Sequence, residues 1–432
     1  MTSRAVALTF LFLGLNTLAF AQAAPAVTAS APTYNPGIVM PLIDGNFQYA
    51  LSASELFQSG YYTNGVGNTT SLSGDLEYTS RNEHTPFEIM YAGGYLLTNN
   101  NGSESSTFQS LMISQGLIRG PWSLSISDAV SFLPNAPTTG LAGVPGVGDL
   151  GLPVQQGSDI PSQDVLTDYA RRVSNAVSGS ISRQLNGRTS ITATGSYGGL
   201  YFLDGNGLTT TQESGSVSLN RQLDRRNTVG VTASYSAFNY GGATGGFHTR
   251  GISGYYTRIW SRRVTTNVSF GPQWISAFSS TTTGTDGPVT TTVPSRVTFG
   301  GSASVSYTRR STTASLAYSR SVNGGSGVQM GAIGDVVSAG LTRAFGRDWS
   351  TGVNANYART NGLANGGNTN TFFAGVQANR RLGQHLSAFV SYTFVDQQLY
   401  SGLVGPSSFS GVSNTGAIGI TFSPRAARLG QF

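Results

Sequence analysis

Val173-Ser-Asn-Ala-Val-Ser-Gly-Ser-Ile181-Ser-Arg183-Gln-Leu185 is the stretch that decides the fold. One phase reads Val173, Val177, Ile181 and Leu185. The other reads Ser174, Ala176, Ser178, Ser180, Ser182 and Gln184. Period-two alternation is the mark of a strand with one apolar and one polar face. The pattern recurs at 47–57, 69–79, 86–97, 106–117, 121–133, 170–185, 189–203, 209–223, 227–239, 247–261, 263–278, 295–309, 311–322, 330–345, 348–360, 370–382, 385–397 and 413–423. No helical period interrupts it. Hairpin after hairpin in this manner predicts an all-β fold, an antiparallel up-and-down transmembrane β-barrel of about 18 strands, with 16 or 14 as the alternatives.

Composition narrows the class. Only 10% of residues are charged, against about 25% in an ordinary soluble domain. There is no cysteine, which removes disulfides, lipidation at a cysteine and thiolate metal sites. Every basic residue is arginine. The excess of positive charge does not point to nucleic acid, because the arginines form no basic cluster in the sequence. Residues 1–23 read as an export signal: Arg4, an apolar run from Ala5 to Phe20, and the small-x-small triplet Ala21-Gln-Ala23. Residues 24–44 form a Pro/Ala linker, 45–423 the barrel and 424–432 a tail. No later apolar run is long enough for a membrane helix.

Connections alternate in length. Short turns fall at Arg81–Thr85, Arg119–Pro121, Asn186–Arg188, Asp224–Asn227, Ser261–Arg263, Arg309–Ser311, Gly346–Asp348 and Gly383-Gln384, with longer links between them. Before five of these turns the apolar phase ends in Arg-x-apolar, at Arg183, Arg221, Arg258, Arg343 and Arg380. Trp122, Trp260 and Trp349 lie within a few residues of the same turns. A guanidinium on a long stem and an indole both suit a membrane–water interface, so these residues are expected to form one outward girdle. An inward arginine ring that selects anions is the rival reading.

The export signal, the hairpin ladder and the closing segment Asn414–Phe422 resemble outer-membrane β-barrel proteins of the porin-like superfamily. The stretch Gly140-Leu-Ala-Gly-Val-Pro-Gly-Val-Gly-Asp149-Leu-Gly, followed by Arg172-Val-Ser-Asn175, is similar to large barrels from acidobacterial proteomes. The superfamily resemblance covers about residues 45–432 and carries no substrate motif. It implies short turns and both termini in the periplasm, and a location in the bacterial outer membrane. It also implies partners: outer-membrane lipids, the barrel-assembly machinery and, as in porins, further copies of the chain. The assembly signal would be the aromatic residue of the last strand. Phe422 is favoured over Phe432, because Pro424 cannot continue a ladder.

The polar phase, with Thr192, Thr194 and Ser196 or Ser302, Ser304 and Ser306, is expected to line a lumen. Asp75, Glu77 and Glu88 share that phase on neighbouring strands and would form an acidic patch. Residues 24–165 hold 2 Arg and 11 acids, whereas 166–432 hold 22 Arg and 8 acids, so the wall should have an acidic and a basic sector. The longest link, Pro134–Asp168, carries Asp149, Asp159, Asp164 and Asp168 and is expected to enter and narrow the lumen. The three histidines, His84, His248 and His385, are read as surface residues; His248 is the one placed for an interfacial hydrolase. No cofactor, metal site or catalytic residue is predicted. The inward phase shows no aromatic stripe, which speaks against a sugar-specific pore. The reading is a porin-like channel for small hydrophilic solutes or export of a neutral polysaccharide. The rivals are a plugged structural or adhesive barrel and a hydrolase at the membrane surface.

Overall fold

A computed structural model describes residues 45–60, 66–98, 105–133, 171–203, 208–241, 245–284, 287–325, 330–364, 367–399, 410–425 and 427–429. The strands are β1 (Gly45–Ser59), β2 (Val66–Ser80), β3 (Phe87–Thr98), β4 (Ser106–Arg119), β5 (Trp122–Leu133), β6 (Arg172–Asn186) and β7 (Thr189–Phe202). They continue as β8 (Thr210–Gln222), β9 (Asn227–Tyr240), β10 (Gly246–Ser261), β11 (Val264–Ile275), β12 (Phe278–Gly284), β13 (Gly287–Val293) and β14 (Arg296–Arg309). The last are β15 (Thr312–Asn323), β16 (Ala332–Phe345), β17 (Trp349–Gly362), β18 (Asn368–Arg381), β19 (Leu386–Leu399), β20 (Gly411–Phe422) and β21 (Ala427–Leu429).

Eighteen of these form the wall. Each pairs antiparallel with its neighbours, and β20 returns to β1, where Leu51–Ser59 lie against Asn414–Phe422. Closure leaves no open edge strand in the wall. The eight short turns share one rim, here the short-turn rim; the longer links share the other. The hairpin β12–β13 stands apart as its own two-stranded sheet within the link from β11 to β14. Sequence reading takes Ser279–Pro294 as one of the longer links between strands; its Thr- and Val-rich run around Gly284 and Gly287 has β-branched residues and glycines but no period-two alternation. The segment after Phe422 also differs from a free tail. Pro424 interrupts the ladder, and then Ala427–Leu429 pair with Gly45–Phe47, extending the closing seam.

The outer face is apolar because one phase of every strand is. Ile181, Val217, Leu219, Ile252, Val268, Phe270, Leu341 and Val376 all lie on it and are exposed. The fourth strand resolves with Leu111 and Ile113 outward and Phe108 inward, buried at 3% exposure. Asp128 does face outward, and Asn175 Nδ2 donates to its Oδ1 at 2.9 Å.

The apolar band has fixed limits. Eight residues separate Arg183 from Asn175, Arg221 from Glu213, Arg258 from Arg250 and Arg343 from Asp335. The outward residues between them, such as Leu219, Val217 and Gly215, carry no charge. Eight residues of strand span about 26 Å, or about 20 Å along a membrane normal at the usual tilt. Side chains reaching outward at both ends bring this to the height of an outer-membrane apolar band. At the long-loop end the charges neutralise one another: Arg320 Nη1 pairs with Asp335 Oδ2 at 2.8 Å, and Tyr318 Oη donates to Asp335 Oδ1 at 2.8 Å.

Val217 lies at mid-band. Val217→Arg is expected to lower the free energy of folding into lipid vesicles by about 2–4 kcal/mol. Its inward neighbour Ser218→Arg should change it by less than about 1 kcal/mol. Urea titrations of vesicle-inserted protein would check the pair, and equal costs would mean that the two faces are misassigned.

Candidate channel lumen

The inward phase is built from small hydroxyl side chains. They bond across strands: Ser127 with Ser178 at 2.7 Å, Thr194 with Ser216 at 2.8 Å, Ser269 with Ser302 at 2.8 Å. Such pairs satisfy one another and leave the remaining donor or acceptor for water. Thr192, Thr194 and Ser196 on β7, Thr232, Ser234 and Ser236 on β9, and Ser302, Ser304 and Ser306 on β14 all point inward, matching the sequence reading.

Exposure along the inner wall is graded. Towards the long-loop rim Ser174, Ser196, Ser214, Ser236, Thr360 and Thr371 are at most 3% exposed. Towards the short-turn rim Ser180, Thr194, Thr232 and Ser304 are half-buried, and Gln184, Ser306 and Thr313 are exposed. The barrel is therefore a cup, filled in its long-loop half and open at the short-turn rim. The seam is an exception. Ala50, Asp75, Phe389, Ala417 and Thr421 are buried low in the wall. There Phe389 lies flat over Gly419, where any Cβ would come within 2.5 Å of its ring.

Part of the filling is an apolar cluster that sequence reading missed. Phe238, Tyr240, Phe247, Ile275, Phe278, Val293, Val322 and Leu363 are buried together. Phe247 stacks on Phe238 with centroids 4.7 Å apart and on Phe278 at 5.1 Å. The link after β15 reaches it. Tyr240 Oη donates to the Gly324 carbonyl at 3.3 Å, and Gly324 lies against Thr210 and Phe238. In the wall, β15 and β9 are separated by β10, β11 and β14, so Gly324 meets Tyr240 and Phe238 across the intervening strands. Gly331 has φ 71° and sits where a Cβ would strike the Phe247 ring at 2.5 Å, so glycine is required twice over. Leu363 N–H donates to the Gly331 carbonyl at 2.9 Å and ties in the end of β17. The inward phase thus does carry aromatics. They pack as a core at the mouth and do not form an open stripe down the pore.

The acidic trio lies on the inner wall. Asp75 pairs in register with Ala50, Glu77 with Gln48 and Glu88 with Thr79. Glu77 and Glu88 are diagonal neighbours, and Thr79 Oγ1 donates to Glu77 Oε1 at 2.9 Å. Inward arginines of the described strands stand at the ends: Arg172 and Arg296 near the long-loop rim, Arg381 at the short-turn rim. Between those ends the charge on the inner wall, among the described residues, is negative.

Arg183, Arg221, Arg258, Arg343 and Arg380 stand in the outward phase, in line with Ile181, Leu219, Tyr256, Leu341 and Val376. Four of their guanidinium groups lie over rings: Arg183 over Trp122 at 4.9 Å, Arg258 over Trp260 at 3.9 Å, Arg343 over Phe345 at 4.8 Å and Arg380 over Trp349 at 5.2 Å. Asp149, Asp159, Asp164 and Asp168 lie outside the described residues, as does Phe432. Phe422 ends β20 and faces outward, its ring 6.3 Å from that of His385. The His248 ring stacks on Tyr235 at 5.9 Å; Ser276 contacts only the His248 backbone. Among the described residues no group of three metal-ligating side chains occurs.

No protein-family model and no curated protein matches the chain. Among solved structures it is similar to Pseudomonas aeruginosa OccK2 (OpdF), at 8% identity and TM-score 0.44 over 89% of this chain and 98% of that one. It is also similar to Acinetobacter baumannii OccAB4, at 9% identity and TM-score 0.43 over 89% and 98% of the two chains. The open form of the ferric-catecholate import receptor Fiu from E. coli K12 matches at 10% identity and TM-score 0.43 over 88% and 82%. Likeness at this level is one of barrel outline, and function has to be read from the wall's own chemistry.

The mouth cluster makes a local prediction. Phe238 is 1% exposed, and Phe238→Ala should cost about 3–5 kcal/mol where it packs. Hydrogen exchange should accelerate in 323–333 and 275–293 and stay unchanged in β6 and β7. Uniform acceleration would mean that the cluster holds up the whole barrel.

Proposed function

We propose that the chain is a porin-like channel of the bacterial outer membrane, with its short turns in the periplasm. It would pass small hydrophilic solutes or export a neutral polymer. The observation that carries this reading is the inner wall of β5–β11 and β14–β16: a surface rich in Ser and Thr hydroxyls, accessible from the short-turn rim. Eighteen strands enclose enough room for an aqueous lumen. Hydroxyl linings exchange hydrogen bonds with solutes without binding any one of them tightly. The mouth cluster and the link Pro134–Asp168 would together set the size of the opening. Kinship with acidobacterial barrels and association with the assembly machinery belong to the same proposal.

A second reading is favoured by one feature, the burial of much of the inner wall in its long-loop half. A barrel plugged there would serve as a structural or adhesive protein. A hydrolase reading has no comparable support, since the His248 ring packs on Tyr235.

Single-channel recording in planar bilayers separates the two. The full chain is expected to conduct in discrete steps, and deletion of residues 279–292 or of 140–160 should raise the step size. Replacing Asp75 with Asn and Glu77 and Glu88 with Gln should lower the preference for cations, because these are the lumen's mid-wall charges. Silence in the full chain and in both deletions would establish the plugged barrel.

A further inference from the structure

The outward arginines have a consequence that depends on the membrane-spanning reading but not on channel activity. Every charged side chain that the described outward phase carries at the short-turn end of the apolar band is positive. Among the acids of the outward phase, Glu55, Glu213, Asp335 and Asp396 lie towards the long-loop end and Asp128 lies mid-strand. The turns add the pairs Arg225-Arg226, Arg262-Arg263 and Arg309-Arg310. Asp224, an acid of these turns, is already engaged: its Oδ1 accepts from the backbone N–H of Arg226 at 2.7 Å and of Asn227 at 2.9 Å, and its Oδ2 from Asn227 Nδ2 at 2.7 Å. These bonds hold its carboxyl below the usual range, so it remains an anion committed to its own turn.

The guanidinium groups themselves are poised. In Arg183, Arg258, Arg343 and Arg380 the guanidinium carbon stands over an aromatic ring at 4.9, 3.9, 4.8 and 5.2 Å from its centroid, a cation–π contact that holds the group at the edge of the apolar band. A ring accepts no conventional hydrogen bond from most of the five N–H donors, and a guanidinium's N–H fork matches the oxygens of a phosphate. Among the described residues none of the four has a carboxylate within ion-pair distance. Charge in this position must be met from the membrane side.

We propose that the short-turn rim is a binding collar for anionic glycerophospholipids, each aromatic-backed arginine holding one lipid phosphate of the leaflet that faces the short turns. The net negative charge of the headgroup is what the collar selects. At the opposite rim the outward charges have mixed sign, so the preference is confined to one leaflet. The salt bridge Arg320–Asp335 shows the alternative, a guanidinium satisfied by the protein itself.

The test uses the full chain in phosphatidylcholine vesicles containing trace spin-labelled phosphatidylglycerol or spin-labelled phosphatidylcholine. The motionally restricted component reports lipid at the protein surface. Phosphatidylglycerol should be enriched there on the order of two- to fivefold, falling towards parity in high salt. The variant R183Q/R258Q/R343Q/R380Q, inserted as judged by heat-modifiable migration, should show parity at low salt. Parity in the wild type, or a preference that salt does not reduce, overturns the collar. Should the variant fail to insert, the salt dependence of the wild type decides alone. Absence of any restricted component for either lipid would overturn the membrane-spanning reading and the collar with it.

Discussion

Backbone amides in hydrocarbon have no solvent to bond with, and the whole structure follows from that constraint. A sheet can cross lipid only when every ladder N–H and C=O is paired, so its first and last strands must meet. Here they meet along Leu51–Ser59 and Asn414–Phe422. Closure fixes the strand number and the lumen. It also forces each strand to divide its residues between lipid and interior. Period-two alternation is the sequence's answer to that division, and Val173–Leu185 shows it with hardly a fault.

The two faces then obey different rules. Outside, apolar area facing lipid needs no packing partner, so valine, leucine and isoleucine stand exposed without forming a core. Most charges stand at the limits of the band, some paired, as Arg320 is with Asp335, some on a ring, as Arg258 is on Trp260; Asp128 lies within it and accepts a hydrogen bond from Asn175. Inside, small hydroxyls keep the wall hydrated in the short-turn half. The largest hydrophobic cluster described gathers around Phe247 at the long-loop mouth, and a smaller one, Leu56, Phe389 and Ala417, lies at the seam. A membrane barrel thus inverts the usual arrangement, with a largely polar interior along the wall and apolar burial in local clusters.

This explains what the sequence could and could not disclose. The strands were legible because each carries its own alternation, and the turn lengths sorted the rims without any long-range information. Asp75, Glu77 and Glu88 were legible for the same reason, since phase alone places them inward. The mouth cluster was not. Phe238, Tyr240 and Phe247 fall at the end of an inward phase that otherwise reads as lumen lining; their partner Val322 sits at the end of β15, and Leu363 comes from a link with no periodicity. Only contact across the intervening strands unites them. The hairpin β12–β13 was missed because its consecutive threonines show no alternation and a long link was expected there. The re-pairing of Ala427–Leu429 beyond Pro424 depends on β1 offering three further residues of edge, which no local pattern reveals.

The central claim is a two-faced wall enclosing a cup that opens at the short-turn rim. The absence of cysteine makes it directly measurable, since any introduced thiol is the only one. Single cysteines placed along β6 at residues 174 to 182 would be challenged with a membrane-impermeant maleimide in lipid vesicles. The account predicts rapid labelling at Ser180 and Ser182, slow labelling at Ser174 and Ala176, and protection by lipid at Val177, Gly179 and Ile181. Labelling of Val177 and Ile181 as fast as Ser180 would contradict the assignment of faces. Equal rapid labelling from Ser174 to Ser182 would contradict the filled long-loop half.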